Sequence, residues 1–215
     1  MFTRRLNSTP DTGMTSLPYD FFDRHHLRVA RDLLGCTLVW DGVSGIVVET
    51  EAYAADDDAA CHTSFRTSAR SFFQQHGPGT TYVYLNFGMY WLLNVLARDG
   101  IILFRAMEPR SGLPMMESRR NTTVKSALCS GPGRLGRALG LTAQDHGSDL
   151  LTANRHLQPR TESFDAEVIR ADVRVGITRQ VDRPWRFLLD GNEHVSVAHG
   201  KATGRNRRRS RQRSG

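Results

Sequence analysis

Glu49, Glu51 and Tyr53 stand two residues apart in the run VETEAY, and a histidine, His62, follows eleven residues after the second carboxylate. A carboxylate held beside an electrophilic carbon can activate water or stabilise a cationic transition state, and two of them can divide acid and base work. Alternation over Ser44–Tyr53 puts Ile46, Val48, Thr50 and Ala52 on one strand face. Val47, Glu49, Glu51 and Tyr53 then share the other, at intervals of about 6–7 Å. The same pattern also describes a solvated strand face. Asp56-Asp57-Asp58 comes next. Three adjacent carboxylates could hold a magnesium ion, but such a run in a loop is more often solvated, and no metal site is expected.

A second stretch could close a pocket over these groups. In TTYVYLNFGMYWLLNVLARDG, Tyr82–Leu85 and Tyr90–Leu96 are strand material joined by Asn86-Phe87-Gly88-Met89. That reads as a hairpin whose tip carries Phe87 and Met89 where polar residues are the norm. The alternative is a helix over Met89–Ala97 with its aromatics buried. An exposed apolar tip on a basic protein suits a wedge pushed between base steps of DNA.

The elements that must position these groups can be traced along the chain. Asp20-Phe21-Phe22 opens a helical pattern, with Leu27, Ala30, Leu33 and Leu34 at helical spacing and an end near Gly35. Cys36–Trp40 is a strand, turned at Asp41-Gly42 into Ser44–Tyr53. Residues 54–79 read as a long polar loop, the kind of segment in which function concentrates. Ile101–Arg105 is a strand stopped by Glu108-Pro109, and 110–127 is helical. Ser130-Gly131-Pro132-Gly133 leads into a helix with Arg134 and Arg137 in its first turns. Such a start suits an anion, although an ordinary capped helix has the same pattern and the GxxxxGK[ST] signature is absent. Residues 142–165 look like loop, Val168–Ile177 and Trp185–Leu189 like strands, and Gly191–Val197 like a turn into a last short strand. The expected architecture is mixed α/β (α+β), a single domain with a curved, mainly antiparallel sheet flanked by helices and a protruding hairpin. Residues 1–16 would be a flexible leader, 17–200 the domain and 201–215 a basic disordered tail.

The chain has 215 residues, 39% of them apolar, and no run long enough to span a membrane, so no membrane partner is expected. The N-terminus has no apolar stretch after its arginines and does not read as a secretory signal. Cys36, Cys61 and Cys129 are widely spaced and odd in number, which predicts reduced thiols and a cytoplasmic protein, and with no CxxC pair a structural zinc site is not expected. Net charge is +7 and comes almost wholly from arginine, since Lys125 and Lys201 are the only lysines. Arginine's planar fork suits phosphate, and part of the excess lies in the tail, where it would add nonspecific affinity.

Taken together the motifs resemble the 3-methyladenine (alkyladenine) DNA glycosylase family, the human-type enzymes and their bacterial relatives. The resemblance rests on ARDLLG at 30–35, VETEAY at 48–53, the following His62 and TYVYLNFGMYWLLNV at 81–95. It continues through FRAMEP at 104–109, LCSGPGRL at 128–135, RVGI at 174–177 and PWRFLLDGN at 184–192, in the family's order. It implies an enzyme that flips a damaged purine out of duplex DNA and hydrolyses its N-glycosidic bond, working without a cofactor as a monomer close to the nucleoid. By the same resemblance Glu51 would be the general base, and Arg105 with the Val175 carbonyl would help hold the attacking water. Tyr53 would lie on one face of the flipped base, with His62 and Tyr84 on the other, and Asn94 would crowd the exocyclic amine of guanine. Phe87 would be the intercalating wedge, with Met89 beside it. Glu49 would be structural, partnering an arginine, although its place beside Glu51 also allows a paired-carboxylate scheme. Arg66, Arg70, Ser130, Gly131 and Arg134 would meet phosphates, with a solvated loop as the alternative for the first two.

Two departures stand out. Phe87 replaces the tyrosine of human-type wedges, and TSFRTSARS at 63–71 replaces a more usual RGRTPR-like run. Neither lysine lies in a pocket-forming motif, so no Schiff-base nucleophile is available and a monofunctional enzyme is expected. Alkylated purines are the expected substrates, with deaminated and etheno-modified ones as extensions. The competing readings are a non-catalytic damaged-DNA-binding protein on the same fold and a metal-dependent hydrolase using the aspartates.

Overall fold

The computed structural model describes residues 16–160 and 168–202. The expected leader and tail fall almost entirely outside those residues.

Strand β2 (Val43–Ala54) organises the sheet because it pairs along its whole length on one edge and is shared between two partners on the other. Strand β1 (Thr37–Trp40) returns onto its first half through the Asp41-Gly42 turn, whose φ values of 43° and 87° place both residues in the left-handed region. Strand β5 (Gly100–Ser111) runs along the full opposite edge. Beyond β5 lie β4 (Tyr90–Ala97) and β3 (Thr81–Asn86), and beyond β1 lies β6 (Arg155–Gln158). On the second half of β2, β8 (Arg186–Leu189) takes over from β1 and carries β7 (Ile169–Asp172) outside it. Every pair is antiparallel.

The β2–β5 register contains two slips close together. Val47 faces Met107 and Glu49 faces Ala106, which leaves Val48 extra on β2; Thr50 then faces Phe104, which leaves Arg105 extra on β5. Such bulges bend a ladder and re-aim side chains, and here they curl the sheet at the level of the carboxylates. Val47 and Val48 consequently both enter the core, against the strict alternation expected. Alternation resumes beyond them. Thr50 turns its hydroxyl to the Ala30 carbonyl at 2.8 Å, while Glu49, Glu51 and Tyr53 look the other way.

Helix α1 (His26–Asp32) packs Val29 and Ala30 on this sheet, joined by Leu33 and Leu34 just after it. Fully burying one such leucine is worth about 1.5–3 kcal/mol. The helix begins later than expected, because Asp99 accepts the His26 N–H at 2.7 Å and fixes its start. Tyr19–Phe21 is a separate 3-10 turn. Residues 54–79 are not one loop. They hold α2 (His62–Phe65) and α3 (Thr67–Gln75), whose few apolar residues form a small second core with Tyr82, Leu96 and Ile101.

Strand β5 does not stop at Glu108-Pro109. Its ladder with β4 ends at Leu103, so Pro109, facing Gly45 of β2, withholds an N–H that β4 has no use for. The helix expected over 110–127 is two, α4 (Leu113–Arg120) and α5 (Lys125–Leu128), separated at Asn121, which has φ 51°. Strand β6 lies within the segment read as loop, and the final strand expected near Val197 is absent among the described residues. Helix α6 (Pro132–Leu139) lies close on β4, and a side chain at Gly136 would overlap the Trp91 carbonyl oxygen. The β3–β4 hairpin is present and the alternative helix is not. Its turn puts Phe87 and Gly88 at φ 52° and 68°, with the Met89 N–H returning to the Asn86 carbonyl at 3.0 Å.

Candidate active site

Glu51 is fully buried, and each of its oxygens is held. The Val175 N–H donates to Oε1 at 2.6 Å, Arg105 Nη1 lies 3.2 Å from the same oxygen, and the Tyr53 hydroxyl donates to Oε2 at 2.8 Å. Val175 therefore engages the carboxylate through its N–H. Glu49, also fully buried, lies behind. Its Oε1 accepts Arg105 Nε at 3.0 Å and Arg186 Nη1 at 2.9 Å, and its Oε2 accepts the Ser196 N–H at 2.8 Å. Arg186 continues to Asp172 at 2.5 Å. The two carboxylates lie on no solvated face.

Burial would raise the Glu49 pKa, but Arg105, the Ser196 hydroxyl and amide, and Arg186 outweigh it and hold the group below its ordinary value. Burial likewise disfavours the Arg105 cation, yet Glu51 and Glu49 more than offset this and raise its pKa. Arg105 stays charged. The Tyr53 phenol is pushed well up, by burial first and by Glu51 second, so it remains a hydrogen-bond donor to the carboxylate.

Glu51, Tyr53, His62, Tyr84, Asn94, Arg105 and Val175 all line one cavity of about 500 Å³, with Phe87 at its margin. The residues expected to do chemistry and those expected to hold a base are thus brought together. His62 crosses Tyr84 edge-on at 4.4 Å and bonds through Nδ1 to the Tyr82 hydroxyl at 2.9 Å. Burial, then Arg66, lowers its pKa from 6.5 to about 4, so the ring is neutral at physiological pH. Asn94 donates its amide to the Tyr82 carbonyl at 2.8 Å, which fixes the side chain against the wall. Behind Tyr53, the buried Arg174 lies 4.6 Å from the ring centroid and grips Asp58 at 2.5 and 3.0 Å. Asp58, one of the aspartates considered for magnesium, is an ion partner.

Sequence reasoning missed Tyr82, although it shares a strand face with Tyr84, and missed Phe65 and Arg179 at the mouth of the cavity. Arg186, Asp172 and Ser196 gave no signal, because charged and hydroxyl side chains in short elements read as surface. Phe87 and Met89 are each 66% exposed at the hairpin tip. Arg66 and Arg70 are exposed, Arg66 lying 5.9 Å from the Tyr84 ring and Arg70 Nε donating to the Thr63 carbonyl at 3.0 Å. Ser130 and Gly131 dock against β5 through the Ala106–Ser130 bridge, and Arg134 Nη1 donates to the Ser130 hydroxyl at 3.0 Å. Elsewhere His25, His26 and Asp99 bring three donor atoms within 4.8 Å of one another. There Asp99 already takes the His26 N–H and ring, an arrangement that fixes the start of α1. Cys36, Cys61 and Cys129 are free and buried. Among the described residues no helix is long and apolar enough to cross a membrane.

Comparison with known proteins gives a consistent result. The family model described as methylpurine-DNA glycosylase (MPG) matches residues 20–193. A Rhizobium etli protein is 43% identical over 178 residues, 82% of this chain and 86% of the relative. A Rhizobium meliloti protein is 42% identical over 179 residues, 82% of this chain and 94% of the relative. A Granulibacter bethesdensis protein is 40% identical over 194 residues, 88% and 91% of the two chains. All three are named "Putative 3-methyladenine DNA glycosylase".

Proposed function

The chain belongs to the methylpurine-DNA glycosylase family, and we propose that it is a monofunctional DNA glycosylase that flips alkylated purines into the aromatic cavity and hydrolyses their N-glycosidic bond. The observation that carries this reading is the buried Glu51 carboxylate, oriented by Val175, Arg105 and Tyr53 at the wall of a cavity of about 500 Å³.

Glu51 takes a proton from water as the water oxygen bonds to C1′ and the C1′–N bond breaks. The electron pair of that bond leaves with the purine. Arg105 and the backbone at Val175 hold the water and the carboxylate in place. A purine methylated at N3 or N7 is already cationic and leaves without a protonated partner, so one carboxylate suffices.

Tyr53 lies on one face of the base, and His62 and Tyr84 on the other. A cation over such rings gains about 0.5–2 kcal/mol, and a neutral His62 adds no opposing charge. Asn94, held by the Tyr82 carbonyl, crowds the amine of normal guanine. Phe87, with Met89, fills the gap left in the stack, and flipping costs least for damaged bases. Arg66, Arg70, Arg134 and the Ser130-Gly131 start of α6 contact phosphates on either side. Hypoxanthine and ethenoadenine, neutral as leaving bases, are secondary substrates.

The test uses labelled duplexes, each with one lesion, incubated with the protein in EDTA and then treated with alkali to cut abasic sites. Strand cutting that appears only after alkali, for 3-methyladenine or 7-methylguanine duplexes, is the expected result. Cutting without alkali would mean a lyase, loss of activity in EDTA a metal-dependent hydrolase, and tight binding without excision a damage-binding protein.

A further inference from the structure

We propose that the segment Ser196–Gly200, past the end of the family match at residue 193, is a positioning strap for the reaction, with Ser196 as the residue that keeps Arg105 aimed at Glu51. The inference rests on the glycosylase reading above.

The strap is tied to the buried ion network at three points. The Ser196 N–H donates to Glu49 Oε2 at 2.8 Å, the Val197 carbonyl accepts Arg186 Nη1 at 2.7 Å, and the Gly200 N–H donates to Asp172 Oδ2 at 2.8 Å. Ser196 makes a further contact, its Oγ accepting Arg105 Nη2 at 3.2 Å. Arg105 is thus held by three groups on three nitrogens: Glu49 on Nε, Glu51 on Nη1 and Ser196 on Nη2.

A guanidinium beside two carboxylates has two choices. It can fork both its donors onto one of them, the stronger arrangement in isolation, or bridge the pair. Forking onto Glu49 would bring a second Arg105 donor to Oε2, which already accepts the Ser196 amide, so the two would share that oxygen. The Ser196 hydroxyl meanwhile holds the far nitrogen. Both contacts favour the bridge, which leaves Nη1 on Glu51. Ser196 touches no reacting atom, so its contribution is orientation, and misplacement of a reacting group by about 1 Å can cost 10²-fold in rate.

The experiment measures single-turnover release of 7-methylguanine from duplex DNA by the full chain, with Ser196→Ala and Ser196→Thr. Ser196→Ala should slow the chemical step about 5- to 50-fold, with KM for the duplex unchanged, because the lost hydrogen bond serves a charged group. Ser196→Thr, which keeps the hydroxyl, should recover to within about 2-fold of wild type. Ser196→Ala indistinguishable from wild type overturns the proposal. So does equal slowing by both variants, which would mean packing at this position and not the hydroxyl. Inactive wild type in the same assay would overturn the glycosylase reading itself; active wild type beside an unaffected Ser196→Ala overturns the strap alone.

Discussion

The hydroxyl of Tyr53 donates to Glu51 Oε2 across 2.8 Å, so the ring that walls the cavity also sets the direction of the carboxylate. Tyr53→Phe keeps the wall and removes the donor. Single-turnover excision should fall about 3- to 30-fold while duplex binding stays within about twofold, as for loss of one hydrogen bond to a charged group. Rates and binding isotherms on the same lesion duplex check this. A parallel fall in binding would mean that the hydroxyl serves lesion binding and not the aim of the carboxylate.

Glu51→Gln preserves the size of the side chain and most of its contacts but removes the proposed base. Excision should drop by about 10²–10⁴-fold or more, with lesion-duplex affinity retained. Base release measured beside gel-shift affinity tests it, and a variant with near-normal release would remove Glu51 from the chemistry.

Phe87 has φ 52° in front of Gly88 at 68°, a pair of positive angles that Asn-Gly satisfies far better than Phe-Gly. Phe87→Asn should therefore leave stability unchanged or raise it by up to about 1 kcal/mol, while excision from duplex DNA falls several-fold through loss of the proposed wedge. Urea unfolding and duplex turnover together decide. A destabilised variant would mean that the ring packs usefully in the free protein.

His62 is neutral when folded because burial brings its pKa from 6.5 to about 4. Between those values the unfolded chain binds a proton that the folded chain does not, so His62 makes the fold lose stability as pH falls from about 6.5 to 4. His62→Gln lacks this penalty. At pH 7.5 the variant should be the less stable by about 1 kcal/mol for the lost Tyr82 contact, and the gap should close or reverse by pH 5. Denaturant midpoints at the two pH values test it, and a constant gap would contradict the neutral ring.

Arg174 and Asp58 are both fully buried and grip each other at two points. Asp58→Asn strands the guanidinium and should cost about 3–5 kcal/mol. Asp58→Leu combined with Arg174→Met should recover much of that loss in stability. Excision should not recover with it, because Arg174 also backs Tyr53 and precedes Val175. Unfolding midpoints and rates for the single and double variants separate the two effects.

What could be read from the residues was set by how strongly each element's pattern depends on local sequence. VETEAY is legible as a strand with three polar groups on one side because alternation persists through Tyr53, and the tip of the hairpin is legible because Gly88 and two strand-like runs frame it. The second and third helices were hidden by a polar composition in which Ala69 alone is fully buried in α3. Strand β6 exposes or half-buries every residue but Leu157. Of the ion network only the pairing of Glu49 with an arginine was anticipated; Asp58, Arg174 and Arg186 are buried by pairing across long sequence separations, and charge by itself predicts exposure.

The paired slips at Val48 and Arg105 make the site depend on counting as much as on residue type. From Val48 to Glu51 is three residues, and β5 on one edge and β8 on the other clamp that interval. Side chains around it can be exchanged with local cost. Inserting or deleting one residue there cannot be absorbed, since it would present Thr50 or Ala52 to the cavity and turn Glu51 into the hydrocarbon interior. Homologues can therefore diverge freely in composition along this strand while its length from bulge to carboxylate stays constant, and a change in that spacing would mark a chain that has left this chemistry.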